Sequence, residues 1–135
     1  MLIANDGSEA AAKALDVAIK LAHWLKARLH MISVEELMDM PATLDEVVEE
    51  EREEKHRYAK VIAQAQFKAK SAHVTIETHV RVGHAVQVIV DFIERERFDL
   101  LVIGYMGHSA LYNRLIGSTT DRLVELAPCQ ILVVK

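Results

Sequence analysis

The chain has a single cysteine, Cys129, among 135 residues, so no internal disulfide can staple it and its composition fits a reducing compartment. Cys129 stands at the mouth of an apolar strand, where a small buried hydrophobe is expected rather than a reactive thiol. No apolar run approaches the length of a membrane span, and the start shows no basic stretch leading into a long apolar core. Neither a spanning helix nor a secretory signal is expected, which makes the cytoplasm the expected location. Positive charge is also in short supply. Sixteen Lys and Arg against 20 Asp and Glu give a net charge of −4, so electrostatics offers no reason to expect nucleic acid or an anionic membrane as the main partner.

Several chemical signatures are missing as well. His30, His56, His73, His79 and His84 are scattered without ligand spacing, and one cysteine makes no zinc pattern. There is no GxxxxGK[ST] and no GxGxxG after the first strand, so neither standard nucleotide fingerprint is present. No Ser-His-Asp order or paired-carboxylate motif stands out, and no catalytic residue is assigned.

What the chain does have is a regular alternation of short apolar runs and amphipathic segments. Hydrophobic residues make up 51% and charged residues 27%, the balance of one ordinary globular domain spanning residues 1–135. Met1 to Ala4 reads as a first strand, broken by the turn chemistry of Asn5-Asp6-Gly7-Ser8. Residues 9–27 follow a helical period: Leu15, Ala18, Ile19, Ala22 and Leu25 share a face widened by Val17, Leu21 and Trp24, and His23 falls on the solvated stripe.

Arg28 to Glu35 reads as a second strand and residues 36–42 as a loop; Thr43 and Glu46 make a capping box that opens a long helix. Its charged run from Glu49 to Arg57 is expected to be a solvated face, with docking through Tyr58, Val61, Ile62 and Ala65. His73 to Val82 reads as a third strand ended by Gly83. Val86, Ile89, Val90 and Ile93 then form a helical face, and Asp99 to Ile103 is a fourth strand. A helix opening at Ser118 stops before Pro128, and Gln130 to Lys135 is the fifth strand. This β-α-β-α-β-α-β-α-β order predicts a three-layer α/β/α fold around a doubly wound, five-stranded parallel sheet.

Three of the five glycines lie between Gly104 and Gly117, directly after the fourth strand. Gly104, Gly107 and Gly117 allow positive φ and let amides approach an anion, while Ser118 and Thr119 stand where a helix N-terminus would favour phosphate. Ser118 with Asp121 adds a signature like a capping box. Taken alone, the pattern fits a phosphate cradle and also a loop that only connects strand to helix.

Gly104-x-x-Gly107-x9-Gly117-Ser118, together with Asp6-Gly7-Ser8-Glu9 and the ending Ala127-Pro128-Cys129-Gln130-Ile131-Leu132-Val133-Val134, resembles the ATP-binding branch of the universal stress protein family over essentially the whole chain. That resemblance implies an adenine nucleotide alpha hydrolase-like, Rossmann-like sheet of order 3-2-1-4-5, with the first and fourth strand exits side by side where the winding reverses and ligands sit. It implies ATP, AMP or another adenine nucleotide, with or without Mg2+, as ligand. Backbone amides around Gly107 and Gly117, with the hydroxyls of Ser118 and Thr119, would hold phosphates. Asp6 would meet the ribose hydroxyls or a nucleotide-bound metal, the protein alone supplying no metal site. Val34 would border the adenine, and Asn5, Gly104, Met106, His108 and Thr120 complete the expected contacts.

Asn5 departs from the pattern, standing where the family usually has an apolar residue. Arg114, inside the spacer, either reaches a phosphate or faces solvent. The family commonly pairs its last strand across a twofold axis. The apolar run Ile131 to Val134, which would lie at a sheet edge, adds to the expectation of a homodimer. The function expected is a nucleotide-dependent regulatory module of stress response acting on a protein partner that the sequence does not name. The alternative is a slow ATP hydrolase or nucleotidyl-transfer enzyme in the same cleft, and a third reading is a nucleotide-free dimerisation protein.

Overall fold

Every strand of the sheet is parallel, because a helix between each strand and the next returns the chain to the same end of the sheet. The computed structural model describes residues 1–36, 44–105 and 119–135. In chain order the elements are β1 (Leu2–Ala4), α1 (Glu9–Leu25), β2 (Leu29–Glu35), α2 (Leu44–Ser71), β3 (Ile76–Val82), α3 (Ala85–Glu96), β4 (Leu100–Gly104), α4 (Thr119–Leu126) and β5 (Gln130–Val134). The sheet order is β3-β2-β1-β4-β5, as expected.

This order dictates the layers. Steps from β1 to β2 to β3 run one way and steps from β3 to β4 to β5 the other, so right-handed crossovers put α1 and α2 on one face and α3 and α4 on the opposite one. Two apolar clusters match that division. Ile3, Met31 and Val102 meet Leu15, Ala18 and Ile19 of α1 and Ala65 and Ala69 of α2. Leu2, Ile32, Leu101 and Ile103 meet Ile89, Phe92 and Ile93 of α3 and Leu123 of α4. β1 is only three residues long yet sits at the centre, with Leu2 paired to both His30 and Leu101, so its side chains are buried on both faces.

Helix α1 starts where Ser8, in extended conformation, accepts a hydrogen bond from the Ala11 N–H at 3.1 Å, with Glu9 in the first turn to complement the dipole. Its apolar stripe is covered through Ala22 but no further: Trp24 and Leu25 are 73% and 64% exposed, contrary to the sequence reading. The helix ends at Lys26 in the left-handed conformation, so the chain turns away before the last turn of the stripe can be covered. His23 is exposed as expected, though its Nδ1 lies 3.0 Å from the Ala72 carbonyl and ties the end of α1 to the end of α2.

In α2, Tyr58, Ala65 and Ala69 are buried, with Val61 and Ile62 packed beside them. Thr43, the expected cap, lies outside the described residues. β3 begins at Ile76 rather than His73, because His73 takes a φ of +56° and Val74 donates back to the Ala69 carbonyl at 2.8 Å, so this stretch closes the helix instead of extending. At the other sheet edge, the Tyr105 N–H donates to the Val134 carbonyl at 2.8 Å and extends the β4–β5 ladder past Gly104.

Candidate functional site

The exit of β1 is built from two consecutive turns, each closed by a side chain. The Asn5 Oδ1 accepts from the Gly7 N–H at 3.0 Å, and an Asp6 carboxylate oxygen accepts from the Ser8 N–H at 2.9 Å. Asn5 is buried although the family pattern favours an apolar residue there, and its polar atoms are satisfied. Its N–H donates to the Ile32 carbonyl at 2.9 Å, its carbonyl accepts from the Ser33 hydroxyl at 2.6 Å, and its Nδ2 lies 3.4 Å from the Met31 sulfur. Gly7 has a φ of +82°, which an L side chain rarely adopts, and a Cβ there would stand 3.1 Å from a Val61 methyl.

A pair of residues on α2 braces this corner. The Arg57 guanidinium donates to the Asp6 carbonyl and lies 5.2 Å from the centroid of the Tyr58 ring. The Tyr58 hydroxyl donates to the Val34 carbonyl at 2.9 Å. Arg57 thus fixes the exit of β1, a role missed when the charged run was read as solvated, and Tyr58, the expected start of the docking face, fixes the end of β2. The available signal was position: Arg57 is the last charge before the buried face begins. An open cleft continues from Gly7 along α2, lined by Glu53, His56, Arg57, Lys60 and Lys68.

The exit of β4 lies beside that of β1. Leu2 and Ile3 are in register with Leu101 and Val102, and the first turn of α1 presses on Gly104. Gly104 is not among the described glycines with positive φ, so the expected reason for it is corrected: a Cβ there would stand 2.7 Å from the carbonyl carbon and oxygen of Ala10. The Thr120 hydroxyl donates to the Gly104 carbonyl at 3.0 Å, joining the start of α4 to the end of β4, while Thr119 is exposed.

The structure therefore gathers Asn5, Asp6, Val34, Gly104, Thr119 and Thr120 at the carboxyl ends of the strands, around the point where the winding direction reverses. Val34 is buried in the apolar cluster shared with Ile32 and Ile103. Met106, Gly107, His108, Gly117 and Ser118, with Arg114, lie outside the described residues. The amides of Gly7 and Ser8 are taken by the Asn5 and Asp6 side chains.

His30 and Cys129, both on the α3 and α4 face, are displaced from their usual ranges. Burial pushes the His30 imidazole below 6.5 and the Cys129 thiol above 9.0. Cys129 is partly buried against the same apolar cluster. The histidines that look scattered in sequence are not all apart in space: His30 and His79 are 3.1 Å apart, with Glu77 beside them.

A doubly wound parallel sheet of this order, with Gly7 and Gly104 at the adjacent exits of β1 and β4, defines the class as a Rossmann-like α/β protein. The chain belongs to the universal stress protein family, whose model matches residues 1–135. Universal stress protein YxiE of Bacillus subtilis is 31% identical over 144 residues, covering 100% of this chain and 97% of the relative. Universal stress protein MJ0531 of Methanocaldococcus jannaschii is 29% identical, covering 100% of this chain and 81% of its own length. Among solved structures, universal stress protein UspA from Lactobacillus plantarum superposes with a TM-score of 0.83 at 27% identity, covering 99% of this chain and 96% of that one. A universal stress protein in complex with cAMP superposes with a TM-score of 0.78 at 25% identity, covering 99% and 94%.

Among the described residues, no helix is long and apolar enough to cross a membrane.

Proposed function

We propose that the protein is an adenine-nucleotide-binding regulatory module of stress response that works as a homodimer, with ATP or AMP as the ligand. The observation that carries the reading is the convergence of the β1 and β4 exits at the winding reversal, where Gly7 and Gly104 leave no side chain between the chain and its neighbours. The solved cAMP complex of a relative with the same fold supports an adenine nucleotide as the class of ligand.

In this reading the amides around Gly107 and Gly117, with the Ser118 and Thr119 hydroxyls, hold the phosphates through preorganised donors. Asp6, held in its turn by the Ser8 amide and Arg57, takes the ribose hydroxyls or a Mg2+ ion riding on the phosphates. Val34 borders the adenine, with Met106 and His108 as further contacts. Thr120 completes the contacts from the start of α4, where its hydroxyl donates to the Gly104 carbonyl. β5, an apolar edge strand with partly exposed Ile131 to Val134, pairs with its copy across a twofold axis, leaving one nucleotide in each subunit.

The test is to denature the purified protein, identify any released small molecule by mass spectrometry, and titrate MgATP by calorimetry into wild type and Gly117→Val. ATP or AMP released from wild type, with heat lost in a folded variant, is the expected result. No released nucleotide and no heat in wild type would sink the reading. Light scattering that finds a monomer at micromolar concentration would sink the dimer.

A further inference from the structure

The β2–β3 register places His30 opposite Glu77 and Ile32 opposite His79, so period-two alternation puts His30, Glu77 and His79 on one face of the sheet, the face covered by α3. There the three side chains converge. The His30 Nδ1 is 3.1 Å from the His79 Nε2 and 3.7 Å from one Glu77 carboxylate oxygen, while the other Glu77 oxygen is 3.9 Å from the His79 Nε2. One donor atom from each residue falls within a common 4.8 Å. Ligand atoms around a tetrahedral zinc ion, with bonds of about 2.0–2.1 Å, stand about 3.3 Å apart. The two histidine nitrogens already stand at 3.1 Å, and one oxygen of the half-exposed Glu77 side chain closes the rest by rotation, a shift of up to about 1.5 Å.

The surroundings hold the rings in place. The His30 ring meets the edge of Phe98 at 5.0 Å between centroids, and the His79 ring meets Phe92 at 4.8 Å. The two imidazole rings are within 8° of parallel. Their side chains are 22% and 15% exposed, whereas Glu77 is 55% exposed and opens the cluster to solvent along the edge strand. We propose that His30, His79 and Glu77 form a binding site for a divalent transition-metal ion of the zinc class, lying on the α3 face of β2 and β3 and separate from the nucleotide corner.

Two imidazole nitrogens and one carboxylate select Zn2+, Co2+, Ni2+ or Cu2+ over Mg2+ and Ca2+, which take oxygen ligands. Three protein ligands leave a fourth position for water. Both histidines bind in the neutral form; in the metal-free protein a single N–H joins them, so one ring moves its proton to its other nitrogen when the ion enters. Burial favours neutral His30 and Glu77 opposes this, while His79, the amino terminus and Arg28 add to it. Arg81 and Arg95, which lie over Phe92, contribute further positive charge nearby. The bound ion clips edge strand β3 to β2 and stabilises the fold in proportion to its concentration over its dissociation constant.

The experiment titrates CoCl2 into the metal-free full-length protein, reading the visible d–d absorption, and competes it out with ZnCl2; melting temperature is followed with ZnCl2 and after EDTA. Wild type is expected to give one Co2+ per chain and a Zn2+-dependent rise in melting temperature. His79→Gln and the solvent-facing Glu77→Gln are each expected to weaken binding by about tenfold to a hundredfold. His56→Gln should bind as wild type. Absence of a Co2+ spectrum in wild type would overturn the proposal. So would binding unchanged in folded Glu77→Gln and His79→Gln, or binding lost in His56→Gln.

Discussion

Gly104 and Ala10 touch across the β4–α1 boundary so closely that a Cβ on residue 104 would stand 2.7 Å from the Ala10 carbonyl carbon and oxygen and 2.9 Å from its Cβ. The obstruction is backbone, which cannot rotate away as a flexible side chain would. Relief therefore requires the first turn of α1 to lift from the sheet. Overpacking of this kind costs about 1–3 kcal/mol, and Gly104→Ala is expected at the upper end. Urea denaturation measures it, and a loss below about 0.5 kcal/mol would show that the turn yields freely.

Asn5 joins β1, its exit turn and β2. In Asn5→Ala the Gly7 N–H loses its acceptor and the Met31 sulfur its donor, while the Ser33 hydroxyl keeps the main-chain carbonyl. A buried or half-buried donor left unpaired costs about 1–3 kcal/mol, so destabilisation in that range is expected. Because the same turn carries Asp6, hydrogen exchange at Gly7 and Ser8 should speed up more than exchange in β5. Equal acceleration at both places would mean global loosening instead.

The alternation of apolar runs and helical periods was enough to read the element order, since each strand and helix carries its own periodicity. Strand order and the meeting of the β1 and β4 exits came from the family resemblance, because nothing local in Leu2–Ala4 says which strands flank it. What stayed hidden depends on distance in the chain or on backbone shape. His30 and His79 are 49 positions apart and meet only through strand register. Arg57 looked like one more charge in a solvated run until the fold brought the Asp6 carbonyl to it. Gly104 was read for its φ, yet what it supplies is room for Ala10. Phe92 joins the α3 core although only its neighbours were assigned there, because the buried stripe is wider than the residues counted.

Helix ends were the least visible feature. Lys26 and Arg97 close α1 and α3 with φ of 52° and 57°, in the left-handed region that usually takes glycine. Left-handed backbone is unfavourable by about 1 kcal/mol for a residue with a Cβ, so Arg97→Gly, on an exposed site, should raise stability by about 0.5–1 kcal/mol despite the freer unfolded chain. Chemical denaturation is the check. A net loss would mean that the Arg97 side chain contributes more than its backbone strain removes.

Arg57 separates charge from geometry. Its guanidinium both donates to the Asp6 carbonyl and packs over Tyr58, so Arg57→Lys keeps the charge but loses the planar fork. A loss of about 1 kcal/mol is expected in the lysine variant and about 2 kcal/mol in Arg57→Ala. If lysine matched arginine, charge alone would explain the residue and the proposed bracing of the β1 exit would fail.

Cys129 offers a test with a defined sign. Burial favours its protonated form and Asp99 adds to that, while backbone contact with Leu101 and the amino terminus act the other way, leaving the thiol above 9.0 in the folded protein. The unfolded thiol loses its proton first. Its contribution is therefore complete below the unfolded value and declines as pH rises through 9.0 toward the folded value. The stability difference between wild type and Cys129→Ala should narrow as pH rises above the ordinary thiol range, as urea titrations at each pH would show. At about pH 8 a thiol-specific disulfide reagent should react more slowly with the folded protein than with the urea-unfolded chain, because thiolate fraction and access both fall. Equal rates in the two states, with a constant stability difference, would place the thiol in solvent and overturn its assignment to the α3 and α4 core.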